Sequence, residues 1–464
     1  MSKKEKAEAP QPTFQELILA NLRKRAPRAE DSGVYEISST NEEVLSKIQY
    51  VLTTGNPAFD ELVGGMPFGR IVEVYGLEGC GKTALAIRCA ARAERGFVSE
   101  IIRDEDGNVT YRLLEKDEFD IGVVYIDNER SLDDDRKLIV DGQRINVGLA
   151  YCDTVDKLFK QIDDSIDTIE GLEKTVAGRK KLHFLVIVVD TIASTSNKQE
   201  QAQAWGKVDF NRAPQAYSQG FRKLMSKVNS QNVCLICTNQ VRVNFKAAQQ
   251  AQQMGRQLSG TSSFEYTSYG GYALRFYATH RIFMHAQQSK YKLVPSAQFP
   301  AGIVVGFHSV KNRIKMPFRD GKMVLLLDGE QGGLHAVFSM LETMVLLKAI
   351  EIKAKEKAAN FVCKFALFGI KPTTFDPAQL ETSLDEDDEK PKRRGAPREK
   401  KEVGFKYRAD WPAFYAQHQA DCDALWKAAV TGAFVTKGLD GQAVEEPEDE
   451  ELLAPNPALP ELED

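Results

Sequence analysis

The sequence predicts an α/β fold built on a mostly parallel central sheet, and three observations predict it. Four short apolar runs recur through the middle of the chain, at residues 71–75 (IVEVY), 122–126 (GVVYI), 184–189 (FLVIVV) and 233–237 (VCLIC). They are too short for buried helices and nearly continuous, as strands covered on both faces are. Helix-like stretches separate them, giving the alternation of a doubly covered sheet. Finally, a glycine-rich segment, GLEGCGKT at 76–83, joins the first run to the helical stretch TALAIRCAARAE.

Composition bounds the reading. The chain has 464 residues, 42% hydrophobic and 27% charged, about three domain lengths with ample material for a core. Its longest apolar run, residues 184–189, is far short of the roughly 20 residues of a membrane span, and the polar start MSKKEKAEAPQP has no apolar signal core. Neither a membrane nor a secreted protein is expected. Seven scattered cysteines, an odd number, fit reduced thiols in a cytosolic compartment better than a disulfide framework. The formal charge of -5 conceals an asymmetry: residues 441–464 hold nine acidic and no basic side chains, leaving 61 basic against 57 acidic elsewhere, a formal +4.

In chain order, Thr13-x-x-Glu16 reads as a capping box opening a helix that Pro27 closes. Strand candidates follow at 34–37 and 48–53, then the Gly/Pro-punctuated TGNPAFDELVGGMPFGR. Beyond the alternating core, residues 246–270 are rich in Gln, Gly and Ser without apolar period and are expected to form a long loop. A helix is expected near 335–352. Residues 384–403, an acidic block followed by a basic one, read as a linker or insertion. Another helix begins at Asp410 and aligns Trp411, Phe414, Tyr415, His418, Cys422, Leu425 and Trp426, a stripe read as the core of a small C-terminal domain rather than a base-stacking platform.

The segment Gly76-Leu-Glu78-Gly79-Cys80-Gly81-Lys82-Thr83 fits G-x-x-x-x-G-K-[ST] between a strand and a helix. Glycines let backbone N–H groups turn onto phosphates, Lys82 supplies charge to the β and γ oxygens, and Thr83 offers a hydroxyl to Mg²⁺. Cys80 is either a small filler or a thiol of lowered pKa at a helix end. Asp190, closing LVIVVD, reads as the acidic position holding the metal's water shell. Hydrolysis also needs a carboxylate to orient water; Glu129, just past the strand in YIDNERSLD, is the best-placed candidate, and Asp127 and Asp133 compete for the role.

From about Thr53 to Leu326, six segments stand in order with fitting spacings: TTGNPAFDELVGGMPFGRIVEVYGLEGCGKT, YIDNERSLD, FLVIVVDTIAS, FRKLMSKVNSQNVCLICTNQVR, GGYALRFYATHRI and VKNRIKMPF. Together they resemble the RecA-type recombinases, including phage members of the UvsX kind. The resemblance implies a RecA-like P-loop ATPase core using ATP and Mg²⁺. It implies that Glu129 polarises the attacking water, Asp190 closes the metal site, Asp133 joins the nucleotide contacts, and Gln240 senses the γ-phosphate for the loop that follows. Two loops, near 200–216 and 241–270, would grip single-stranded DNA. Phe210 and Phe245 fall where side chains wedge between base triplets, and Arg222, Arg242, Gly270 and Gly271 fall among DNA-contacting positions. Lys311 and Arg313 match cations reaching the neighbouring protomer's γ-phosphate in a helical filament.

The implied organisation is an N-terminal oligomerisation helix and linker (1–48), the ATPase core (49–334), a small C-terminal domain (335–440) and an acidic, disordered tail (441–464). Departures accompany the likeness: the second loop is long, Gln215 replaces an arginine, and His285, Gly306 and His308 stand where basic residues would bind duplex DNA. Lys290 and Lys292 are possible compensation. The expected function is a DNA-dependent ATPase that polymerises on single-stranded DNA and exchanges strands with a duplex, with loader or single-strand-binding partners conceivable. The alternative is an accessory ATPase of the same fold that does not exchange strands; VKNRIKMPF and GGYALRFY argue against a hexameric helicase.

Overall fold

In the computed structural model the four apolar runs become parallel neighbours in a ten-stranded sheet. The structure describes residues 48–104, 109–132, 139–175, 181–196, 212–230, 232–253, 262–294, 296–327, 333–355, 358–370, 372–374 and 403–431. The sheet contains β1 (Arg70–Gly76), β2 (Phe119–Asp127), β3 (Gly148–Ala150), β4 (Leu182–Asp190), β5 (Val233–Val243), β6 (Tyr266–Ser268), β7 (His280–Tyr291), β8 (Gly302–Lys311), β9 (Asp320–Leu326) and β10 (Gly333–His335). Its order is β10-β9-β8-β7-β1-β5-β4-β2-β3, with β6 paired to the far end of β5. Neighbours from β7 to β3 are parallel, and those from β7 to β10 antiparallel.

Burial on both faces explains the continuous apolar runs. Phe184, Val186 and Val188 of β4 belong to a core shared with α2 (Lys82–Glu94), while Leu185, Ile187 and Val189 belong to another, shared with α3 (Val155–Thr175) and α4 (Arg212–Ser230). Before β1, α1 (Pro57–Val63) shows the predicted punctuation: Asn56 caps it by accepting from the Phe59 N–H, Pro57 opens it, and Gly64 at φ 89° ends it.

The remaining helices are α5 (Phe245–Gln253), α6 (Ala273–Tyr277), α7 (Ala336–Leu346), α8 (Trp411–Gln417) and α9 (Gln419–Thr431). Helix α7 lies against β9, where Ser339 Oγ accepts from the Val324 N–H at 2.9 Å and Thr343 Oγ1 from the Lys322 N–H at 3.0 Å. These hydroxyls satisfy sheet-edge groups. A three-stranded sheet, Ile350–Lys355, Ala358–Cys363 and Gly404–Phe405, follows. The described residues from Tyr50 onward cluster as one compact unit.

Three expectations are corrected. The helix near 335–352 stops at Leu346, because Lys348 takes φ 60° and the chain turns into a strand at Ile350. The helix from Asp410 is two helices, interrupted at His418; its stripe nevertheless packs inward, with Trp411, Cys422, Leu425 and Trp426 buried. The described part of 246–270 holds α5 and β6, since Ala and Gln in KAAQQAQQ favour helix and the Tyr266–Ser268 strand pairs with Val241–Val243. The N-terminal capping box, the strand at 34–37, Asp133, Phe210, the 384–403 insertion and the acidic tail lie outside the described residues.

Candidate functional site

The parallel strands end together. Gly76 of β1 stands opposite Gln240 of β5, and Asp190 of β4 opposite Asp127 of β2. Such aligned carboxyl ends are where open α/β sheets bind ligands.

The backbone explains the glycines of the P-loop. A Cβ on Gly76 would lie 2.0 Å from the Met284 carbonyl oxygen of neighbouring β7. Gly79 and Gly81 adopt φ 67° and 80°, and Gly81 precedes α2 without a side-chain cap, so the first-turn N–H groups face outward to an anion. Lys82 Nζ donates to the carbonyls of Gly76 at 3.0 Å and Leu77 at 2.7 Å. Thr83 is half-buried and Glu78 exposed. Cys80 is buried, its Sγ 2.8 Å from the Leu77 carbonyl. Burial pushes its thiol pKa up despite Lys82, the direction opposite to an activated thiol.

Asp190 is buried and accepts from Tyr125 Oη at 2.8 Å and from Thr238 Oγ1 at 2.5 Å. Burial first, and then the negative charge of Asp190, raises the Tyr125 phenol well above its ordinary value. It therefore remains a donor, and the carboxylate keeps lone pairs for a water shell. Asp127 is committed locally, accepting from the N–H groups of Ser131 at 3.1 Å and Leu132 at 2.9 Å. Glu129 is exposed, and its Oε1 accepts from Gln240 Nε2 at 3.0 Å. Of the competing carboxylates described, Glu129 is thus the one joined to Gln240. The donor set of Thr83, Asp190 and the P-loop suits Mg²⁺ and phosphate oxygens.

Past Gln240, β5 turns outward and pairs with β6. Arg242 is exposed, its guanidinium 5.1 Å from the Tyr269 ring centroid, and Phe245 is 85% exposed. Gly270 and Gly271 take φ 84° and 77°, and a Cβ on Gly271 would come within 3.1 Å of Pro214 of α4. Arg222 projects from the exposed side of α4. Lys311 Nζ donates to the Phe276 carbonyl at 3.0 Å, and burial, then the charges of Arg313 and Arg281, lower its pKa; Arg313 is exposed.

Sequence reasoning missed the polar joint beneath these groups. Glu73, fully buried in β1, accepts from Arg281 Nε at 2.6 Å and from Asn239 Nδ2 at 3.0 Å. Asn239 Nδ2 also reaches the Tyr269 carbonyl at 3.0 Å, and Arg275 Nε reaches Ser268 Oγ at 3.3 Å. The available signal was a lone glutamate in the apolar run IVEVY, which needs a buried partner. Elsewhere His285 stands opposite Gly306, and His308 Nδ1 lies 2.7 Å from Asp320 Oδ1. Lys292 Nζ donates to the Ala297 carbonyl; the Lys290 side chain lies outside the described residues.

Comparisons with known proteins bear on the family. The chain is 28% identical over 308 residues to Protein RecA of Thermotoga neapolitana, covering 66% of this chain and 73% of that protein. It is 27% identical over 336 residues to Protein RecA of Thermus aquaticus, covering 68% and 82%. The RecA N-terminal domain family matches residues 32–111 and 114–331, and with more than half of its length so matched, the chain belongs to the RecA family.

Proposed function

We propose that this protein is an ATP-driven recombinase that assembles on single-stranded DNA and pairs it with homologous duplex. The observation that carries the reading is the Gln240–Glu129 hydrogen bond at the strand ends, one residue before the β5–β6 excursion begins. A side chain there contacts the nucleotide end and the root of the DNA-facing segment together.

In this reading, the P-loop from Gly76 to Thr83 holds the triphosphate, with Lys82 as its counter-charge. Thr83 and Asp190 would hold Mg²⁺, which would supply charge neutralisation when bound. Glu129 orients the attacking water, and Gln240 reports the γ-phosphate to residues 241–271. Arg222, Arg242, Phe245, Gly270 and Gly271 contact single-stranded DNA, while Lys311 and Arg313 act on the neighbouring protomer's site, making hydrolysis depend on assembly.

A specific observation favours a second reading. His308 is tied to Asp320, and His285 and Gly306 sit beside it, where the resemblance would place basic duplex contacts. An accessory ATPase that assembles without exchanging strands fits that feature. A strand-exchange assay beside ATPase measurements with and without single-stranded DNA separates the two: the recombinase produces joint molecules, whereas DNA-stimulated hydrolysis without them supports the accessory role.

A further inference from the structure

We infer that Phe264 is a second base-stacking side chain, acting with Phe245 at the outer end of the β5–β6 pairing. The inference rests on the proposed single-stranded DNA site and adds to it a residue on the opposite arm.

Three rungs join the arms: Val241 with Ser268, Arg242 with Thr267 and Val243 with Tyr266. One further backbone bond extends them, from the Asn244 N–H to the Glu265 carbonyl at 2.8 Å. Phe245 and Phe264 therefore leave the last rung from facing arms. The Asn244 side chain clasps both exits, its Nδ2 donating to the Phe264 carbonyl at 3.3 Å and its Oδ1 accepting from the Lys246 N–H at 3.2 Å. Backbone is held at both positions while the rings stay in water, Phe245 85% and Phe264 76% exposed.

A single exposed apolar residue needs no explanation. Two phenylalanines at one clasped tip are different, because each forgoes the burial that drives folding. The nearby charges indicate what covers them. Arg242 and Lys246 are exposed on the first arm, while Glu265 adjoins Phe264 on the second. A polyanion would run along the cationic arm and turn its bases toward the rings. Phenyl rings offer no hydrogen-bond readout, so the ligand is single-stranded nucleic acid without base preference.

The test measures binding of the full-length chain, its Phe264→Ala variant and its Phe264→Trp variant to a thymidine homopolymer and to an abasic strand of equal length. Phe264→Ala should weaken homopolymer binding about 5- to 150-fold, the range of one base–aromatic stack, and leave abasic binding unchanged. Phe264→Trp should retain affinity, with added indole fluorescence that the homopolymer quenches and the abasic strand does not. Parental homopolymer affinity in Phe264→Ala, or equal losses on both strands, overturns the stacking role while leaving the DNA site standing. Failure of the parent to bind either strand overturns the DNA site and this inference together.

Discussion

The P-loop and the β5–β6 excursion begin on adjacent strands yet are ordered by different means. At the P-loop, backbone geometry does the work: Gly76 abuts the Met284 carbonyl, and two positive-φ glycines lead into a helix whose Leu85, Cys89 and Ala90 are buried. At the excursion, three rungs and a few side-chain bonds from Asn239, Asn244, Arg275 and Arg281 hold a segment whose Phe245 and Phe264 rings lie in water. A site that must present fixed N–H groups to phosphate is built into the core. A segment that in the proposed reading changes with nucleotide state hangs from polar joints that can be remade.

Four substitutions break or sharpen this contrast. The largest effect is expected on the chemistry alone: Glu129→Gln should cut DNA-stimulated ATP hydrolysis about 10²- to 10⁴-fold while ATP binding persists. Turnover at the parental rate would move the water-orienting role elsewhere. Next comes the joint shared by the two regions. Glu73→Ala leaves Arg281, whose side chain is 12% exposed, without its carboxylate, and should cost about 3–5 kcal/mol in chemical denaturation. Hydrogen exchange should rise at β6 before it rises at the P-loop; uniform loosening would mean that the joint serves the whole sheet.

Acid probes the same strand root. His280, adjacent to Arg281 and fully buried, has its imidazole pushed down to about 4 by desolvation. Its folded pKa lies below the ordinary value of about 6.5. Stability is therefore complete above that value and declines as pH falls toward 4, by up to about 3 kcal/mol. His280→Leu should flatten this stretch of the denaturation profile; an unchanged slope assigns the acid sensitivity to other groups. The smallest effect is on coupling. Gln240→Ala should reduce the ratio of DNA affinity with ATP to that with ADP by about 5- to 150-fold, the usual span of coupling between sites. A preserved ratio would remove Gln240 as the link.

What was legible in the sequence follows the same division. The sheet centre reads directly because parallel strands covered on both faces must be apolar throughout, and the P-loop reads because phosphate binding constrains glycine and lysine at fixed offsets. The excursion did not read as ordered, since V-R-V pairs with Y-T-S across more than 20 residues and neither triplet is a strong signal alone. Glu73 and Arg281 are 208 positions apart, so their pairing is invisible to any local pattern. The α7 boundary was missed because Lys348, not glycine, takes the left-handed turn. The α8–α9 break at His418 likewise lacks Gly or Pro.

The alternation along β4 makes the central sheet a partition between two audiences. Consecutive residues of one strand address opposite compartments: Val188 presses on the layer that carries the P-loop helix, and Ile187 on the layer of α3 and α4, from which Arg222 projects. In the proposed reading, a one-methylene change at neighbouring positions should thus be heard on different sides, as altered nucleotide affinity from one and altered DNA affinity from the other.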